Sequence, residues 1–348
     1  MPWRAIGQVN RRRQRAWASH TAAHPQHHVA FIRDDLVSEP PIIEEHVTSG
    51  RIALTPQPPQ APTSWPDSQA DTRDMDRLSI GFLGGFGLPP VEFVNLTADL
   101  GCRCMSAVVQ GLPLVPLDYP PYSLKDDVAL RGELLAAMNH RGVTISLGDG
   151  FLVLPDADIH MYATDLDVLA ELGVPRINVV SLDPDLGRTF DQFATLTDLA
   201  AQRGLQTVVE PVPGLTVGDL ATGLAAAEHV GRSDFRLLID TMHLVRSGSS
   251  AADVVAIDPD RIGYAQLNDT TLRPRLDNYM EEAMFERMVP GEGELPLRDI
   301  LSALPPDIVI ELEVPRRSLA LAGVSPIDRL RPCVEAARRL LSEVERRQ

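Results

Sequence analysis

Residues 206–240 read QTVVEPVPGLTVGDLATGLAAAEHVGRSDFRLLID. Two short apolar runs, QTVV and FRLLI, flank DLATGLAAAEHVG, which has the length and composition of an amphipathic helix. Each apolar run closes on a carboxylate, Glu210 in one case and Asp240 in the other. Acids at the ends of buried strands are costly unless they are paired or bind a cation. The strand–helix–strand unit therefore raises two questions: how often it repeats, and whether other strands end the same way.

Outward from this unit the pattern continues in both directions. Strand-like runs are LSIGFLG (78–84), CMSAVVQ (104–110), VTISLGDG (143–150), RINVVSL (176–182), QTVVEPV (206–212), FRLLID (235–240), IGYAQL (262–267) and DIVIELEV (307–314). Helix-like stretches lie between them, including VEFVNLTADL (91–100), LRGELLAAMNH (130–140), DLDVLAELG (165–173) and FDQFATLTDLAAQRG (190–204). After the last strand comes IDRLRPCVEAARRLLSEVERR (327–347). Gly142 and Gly204 fall where helix C-caps precede strands. Eight strands alternating with helices predict an α/β protein of the (β/α)8 barrel type, a TIM barrel. An open doubly wound sheet shares the rhythm but calls for a Gly-rich nucleotide turn after its first strand. Here that turn is GFLGGFGLPP (81–90), whose glycine spacing does not give GxGxxG, and no P-loop occurs elsewhere.

Residues 1–76 differ from the rest. A basic cluster (Arg11, Arg12, Arg13, Arg15) and four histidines (His20, His24, His27, His28) precede the Pro-rich, aperiodic TPQPPQAPTSWPDSQADTRD. This region is read as a disordered extension, and residues 77–348 as the barrel. It lacks the apolar core of a secretory signal.

The chain of 348 residues is 44% hydrophobic, enough for a large core, and carries a net charge of −16. That charge argues against nucleic acid as a partner. No apolar run reaches membrane-spanning length. Three cysteines, Cys102, Cys104 and Cys333, suit reduced thiols in the cytoplasm. The only lysine, Lys125, lies in the loop after the second strand, so Schiff-base chemistry on a barrel strand is excluded.

In such barrels the chemistry sits at the C-terminal ends of the strands. The fifth strand ends in Glu210 and the sixth in Asp240, with His243 three residues on. The seventh carries Gln266, then Asn268 and Asp269, and the eighth carries Glu311 and Glu313. Four consecutive strands thus place ligand-type side chains near one rim, which points to a metal site. Period two puts Glu311 and Glu313 on one face. Glu313, nearer the rim, is assigned to the metal, and Glu311 to a structural role in the layer below, with the reverse assignment left open. Asn268 is read as a turn residue. Arg246, Arg273 and Arg275 are candidates for binding a substrate carboxylate or phosphate. A surface salt bridge is the expectation for Arg287. The segment LRPRLDNYMEEAMFERMVPGEGE (272–294), with a helix over YMEEAMFERM, has the length of an active-site lid.

The stretches VVEPVP, LLIDTMHLVRSG, YAQLND, VPGEGELPL and IELEVP, in this order and spacing, resemble the xylose-isomerase-like TIM-barrel superfamily, the sugar phosphate isomerase/epimerase group. The resemblance implies a metal held by Glu210, Asp240, Gln266 and Glu313, with His243 at the substrate or orienting Asp240. The family usually has histidine where this chain has Gln266. Hydroxypyruvate isomerases and bacterial 3-dehydroshikimate dehydratases are similar to it in using glutamine there. The resulting all-oxygen set favours Mn2+ or Mg2+ over zinc. The implied function is a divalent-metal-dependent isomerase or epimerase of a small sugar or hydroxy-keto acid, acting through an enediolate. Glu210 and Glu313 are then the acid/base pair, and His243 polarises or protonates a substrate oxygen. Two alternatives stand beside it: a 3-dehydroshikimate-type dehydratase on the same site, and a non-catalytic ligand-binding barrel. Relatives often pair through their helices, so a homo-oligomer is an open expectation. Endonuclease IV chemistry is not implied, because the second and third strands offer Ser106, Gln110 and Asp149 but no histidine.

Overall fold

The computed structural model of the chain describes residues 31–33, 36–38, 77–111 and 114–346. The chain divides into two units, Met1–Pro58 and Pro59–Gln348. In the first, Phe31–Arg33 pairs antiparallel with Leu36–Ser38, Phe31 opposite Ser38. The expected disordered extension, with its arginine and histidine clusters, otherwise lies outside the described residues.

The second unit contains a closed barrel of eight parallel strands. They are β1 (Leu78–Ile80), β2 (Cys104–Val108), β3 (Thr144–Val153), β4 (Arg176–Ser181), β5 (Gln206–Val209), β6 (Phe235–Asp240), β7 (Ile262–Leu267) and β8 (Ile310–Leu312). Each pairs with the next, and β8 closes on β1 with Leu312 opposite Ile80. Closure rules out the open doubly wound sheet and confirms the (β/α)8 reading.

The principal helices are α1 (Pro90–Asp99), α2 (Val128–Arg141), α3 (Ala163–Glu171), α4 (Leu186–Ala201) and α5 (Leu220–Val230). They continue with α6 (Thr241–Arg246), α7 (Ala251–Val255), α8 (Tyr279–Phe285), α9 (Leu297–Ala303), α10 (Arg317–Leu321) and α11 (Pro326–Glu345). Their starts are set by local chemistry. Asp127, Asp185 and Asp219 each accept a backbone N–H three residues on, satisfying a donor that the first helical turn leaves open. Gly142 ends α2 in the left-handed region, at φ 64°, as its position before β3 predicts. Among the described residues, no helix is long and apolar enough to cross a membrane.

The main core lies between the strands and the surrounding helices and includes Ile145, Leu166, Ile177, Phe193, Leu237 and Leu340. A smaller cluster of Leu147, Val208, Leu238 and Tyr264 packs separately. Polar contacts join strands β1, β3, β7 and β8. Ser79 and Ser146 hydroxyls lie 2.8 Å apart, Ser146 lies 2.8 Å from the Tyr264 hydroxyl, and Tyr264 donates to Glu311 Oε2 at 3.1 Å.

Candidate active site at the carboxyl ends of the strands

Parallel pairing brings the rim residues level. Asp240 on β6 is the register partner of Gln266 on β7, and Gln266 is the partner of Glu311 on β8. Glu210 and Glu313 each follow directly on the last residue of their strand. All five are buried; Glu210, the most open, is 8% exposed.

The site is built around three hydrogen-bonded groups. Asp240 caps α6 by accepting the His243 backbone N–H at 2.8 Å through Oδ1. Its Oδ2 accepts from Asn268 Nδ2 and from Arg287 Nη1, each at 2.6 Å. Gln266 Nε2 donates to Glu311 Oε1 at 3.1 Å and to Glu313 Oε1 at 3.2 Å, tying the two glutamates of β8 together. Glu210 Oε2 accepts from Asn178 Nδ2 at 2.8 Å, and its Oε1 lies 3.3 Å from His243 Nε2. The other imidazole nitrogen, Nδ1, lies 2.5 Å from the Tyr279 hydroxyl.

Glu210, Asp240 and His243 each offer a ligand atom, all within 4.8 Å of one another. Glu313 is joined to Asp240 through Arg287, whose Nη1 is 2.6 Å from Asp240 Oδ2 and 2.9 Å from Glu313 Oε2. The guanidinium is fixed from behind by Nε donating to the Ala283 carbonyl at 2.7 Å.

Electrostatics separates the carboxylates. Burial works against ionisation of Asp240, but Arg287, His243 and the capping N–H outweigh it and hold its pKa below the usual range. Burial pushes Glu313 well up, and the neighbouring Glu210, Asp240 and Glu311 add to the rise against the opposing Arg287. Glu311 is pushed up to about 7, chiefly by burial, against hydrogen bonds from Gln266, Ser106 and Tyr264. Asp149 on β3 is likewise raised by burial and by the charges of Glu311 and Glu210. The site therefore holds more carboxyl groups than its one guanidinium neutralises.

Three buried acceptor oxygens here have no hydrogen-bond partner: Gln266 Oε1, Asn178 Oδ1 and Asp149 Oδ2. Buried acceptors without donors are rare and call for an explanation. Orphaned oxygens among surplus carboxylates suit a hard cation with oxygen ligands, so the residues fit a divalent ion.

The arginine expectations change most. Arg287 is no surface residue; it is 4% exposed and sits at the centre of the carboxylate group. The helix expected over YMEEAMFERM (279–288) ends at Phe285, so Arg287 lies beyond it and no helical period records its burial. Arg246, expected at the substrate, donates instead to the Thr271 carbonyl at 2.7 and 3.1 Å, to the Arg273 carbonyl at 3.1 Å and to Glu282 at 3.2 Å. Arg275 lies 3.5 Å from Glu282 and donates to the Glu286 carbonyl. Arg246 and Arg275 thus contact the loop, while Arg246 Nη1 is buried with no hydrogen-bond partner and the Arg273 side chain is exposed.

The loop expected as a lid is tied down by two buried acids, Glu282 in its middle and Asp269 at its C-terminal turn. Glu282 on α8 is fully buried and accepts from the Thr270 hydroxyl at 2.5 Å and the Arg275 backbone N–H at 3.0 Å. Asp269 accepts the backbone N–H groups of Thr270, Gly291, Gly293 and Leu295, so it organises the whole PGEGE turn. Asn268 is no turn residue either: it is fully buried and orients Asp240.

The fold and site define a closed parallel TIM barrel with a buried carboxylate group at the carboxyl ends of strands five to eight. The chain matches the family model described as "Xylose isomerase-like TIM barrel" over residues 94–341 and belongs to that family. No curated protein matches it. Among solved structures, the chain is similar to the IolI protein crystallised with a bound zinc atom: 18% identity, 77% of this chain and 98% of that one, TM-score 0.63. It is also similar to the probable 3-DHS dehydratase AsbF from Bacillus anthracis: 12% identity, 75% and 98% coverage, TM-score 0.59. A third is D-psicose 3-epimerase in the presence of D-fructose: 16% identity, 76% and 99% coverage, TM-score 0.55. At these identities the likeness bears on the fold.

Proposed function

We propose that the protein is a divalent-metal-dependent isomerase or epimerase of a small sugar or hydroxy-keto acid, working through an enediolate. The observation that carries this reading is the convergence of Glu210, Asp240, Gln266 and Glu313 on one rim, with a surplus of carboxyl oxygens and an orphaned Gln266 Oε1. These four residues are the proposed holders of Mn2+ or Mg2+. A divalent ion bound there supplies Lewis-acid stabilisation of a developing oxyanion.

The chain's own groups do the proton work. Glu210 and Glu313 are the proposed acid/base pair: one removes the proton α to the substrate carbonyl, and a proton returned to the other face or to the neighbouring carbon completes the reaction. Burial and the neighbouring acids push the Glu313 pKa well above the ordinary value, which suits it to hold and return a proton. His243 is held between Tyr279 and Glu210. When Tyr279 donates to Nδ1, the proton resides on Nε2, directed at the Glu210 side of the site, where it polarises a substrate oxygen. The low-dielectric surroundings strengthen each of these contacts.

A 3-dehydroshikimate-type dehydration is the second reading. It draws on Gln266 in place of the usual histidine and on the guanidinium of Arg287 within the site, which suits a carboxylated substrate. The compartment proposed is the cytoplasm, from three cysteines in 348 residues, and the partner is a small molecule.

The test is a screen of ketoses and hydroxy-keto acids with Mn2+ or Mg2+ in deuterated solvent. Deuterium entering recovered substrate or its isomer, and lost in Glu210→Gln and Glu313→Gln, is the expected result. An ultraviolet-absorbing aromatic product from 3-dehydroshikimate selects the dehydratase. Binding of ligands with neither signal leaves the non-catalytic barrel.

A further inference from the structure

We infer that Arg287 is a resident cation of the carboxylate group, which a divalent metal must displace from Asp240 and Glu313 in order to bind. This inference rests on the proposed metal site and adds how that site is controlled.

The geometry is that of a bridging cation. A single nitrogen, Arg287 Nη1, lies 2.6 Å from Asp240 Oδ2 and 2.9 Å from Glu313 Oε2, contacting carboxylates from two different strands at once. Those are two of the four proposed ligands. A charge-assisted contact this short uses the oxygen lone pairs that a metal would take. All three side chains are buried, so water screens the competition weakly. The guanidinium is held in place by the Ala283 carbonyl and by its own backbone N–H on the Pro315 carbonyl at 2.9 Å.

Two consequences follow. Metal affinity in the wild type is set below what four oxygen ligands alone would give. Metal entry also moves Arg287, and with it the segment between α8 and the PGEGE turn. Asp240 and Glu313 face a cation in either state, first the arginine and then the ion, and the displaced guanidinium must move to a new partner or to water rather than stay buried and unpaired.

The experiment is calorimetric titration of Mn2+ into the metal-free full-length protein and into Arg287→Met and Arg287→Lys. Arg287→Met is expected to bind Mn2+ at least tenfold more tightly than wild type, and to lose more melting temperature than wild type when the metal is withheld. Unchanged or weaker binding by Arg287→Met, with wild-type binding intact and sensitive to Glu313→Gln, overturns this inference while leaving the metal site standing. No Mn2+ binding by any of the proteins overturns both. Should Arg287→Met fail to fold, hydrogen exchange on the wild type decides. Mn2+ is expected to speed exchange of the amides of residues 285–289, and unaltered exchange with bound metal rejects displacement.

Discussion

Gly293 stands where a methyl group would enter the carboxylate of Asp269: a Cβ there would lie 2.3 Å from Asp269 Oδ1 and 2.5 Å from the Thr270 carbonyl oxygen. Neither atom can retreat freely, because Asp269 is holding four backbone N–H groups and Thr270 belongs to the same turn. Gly293→Ala is therefore expected to destabilise by about 2 kcal/mol or more, within the usual range for overpacking. A fall of roughly 5 °C in melting temperature corresponds to it for a domain of this size. A melting curve that overlays wild type removes the tight turn from the account.

Asn268 gives a second prediction. Its amide donates to Asp240 Oδ2, and second contacts of this kind orient metal-binding carboxylates. Asn268→Ala is expected to fold and to weaken Mn2+ binding by roughly tenfold or more. Asn268→Asp, which places a second acid against Asp240, is expected to do more harm than alanine. Calorimetry with Mn2+ separates the outcomes, and equal affinity in wild type and Asn268→Ala counts against an orienting role.

The loop anchor Glu282 predicts a pH effect. Burial opposes its charge, but the Thr270 hydroxyl, the Arg275 backbone N–H and the guanidinium groups of Arg246 and Arg275 hold its pKa below the ordinary value. A folded-state pKa lower than the unfolded one adds stability above the unfolded value, about 4.3 for glutamate. That contribution is lost as pH falls through the lower folded value. Thermal melts between pH 6 and pH 3 are expected to show a shallower acid decline in Glu282→Gln than in wild type. Parallel declines would mean that Glu282 titrates alike in both states.

Metal identity supplies the last prediction. With glutamine on the seventh strand the proposed ligands are all oxygens, and imidazole in its place shifts preference toward softer ions. Gln266→His is expected to raise affinity for Zn2+ or Co2+ relative to Mn2+ when the metals compete. Stoichiometric Mn2+ binding that survives Glu313→Gln undiminished would falsify the ligand assignment.

Much of this protein is legible one residue at a time. The strands of a parallel barrel are buried on both faces, so they read as short apolar runs, and the helices between them read by their length and spacing. FRLLID and IGYAQL are the strands Phe235–Asp240 and Ile262–Leu267 to the residue. Polar residues at the ends of such runs stand out because burial would otherwise exclude them. Glu210, Asp240, Gln266 and Glu313 were visible for that reason.

The tertiary structure alone decided what surrounds them. Asn268 lies just past the seventh strand and Arg287 just past α8, where no regular period continues, so the local sequence leaves their burial open. Asn268 looks like a turn residue and Arg287 like a solvated cation until the barrel closes and the loop folds back across it. Their roles come from partners 28 and 47 residues away in the chain, Asp240 in both cases. By itself the sequence determined the barrel and the acids on its rim, because apolar periodicity and strand-end position are local properties. Only the tertiary structure decided that a buried arginine bridges two of those acids and that Arg246 and Arg275 contact the loop beside them. Which charges meet depends on contacts between segments far apart in the chain, and no local pattern records them.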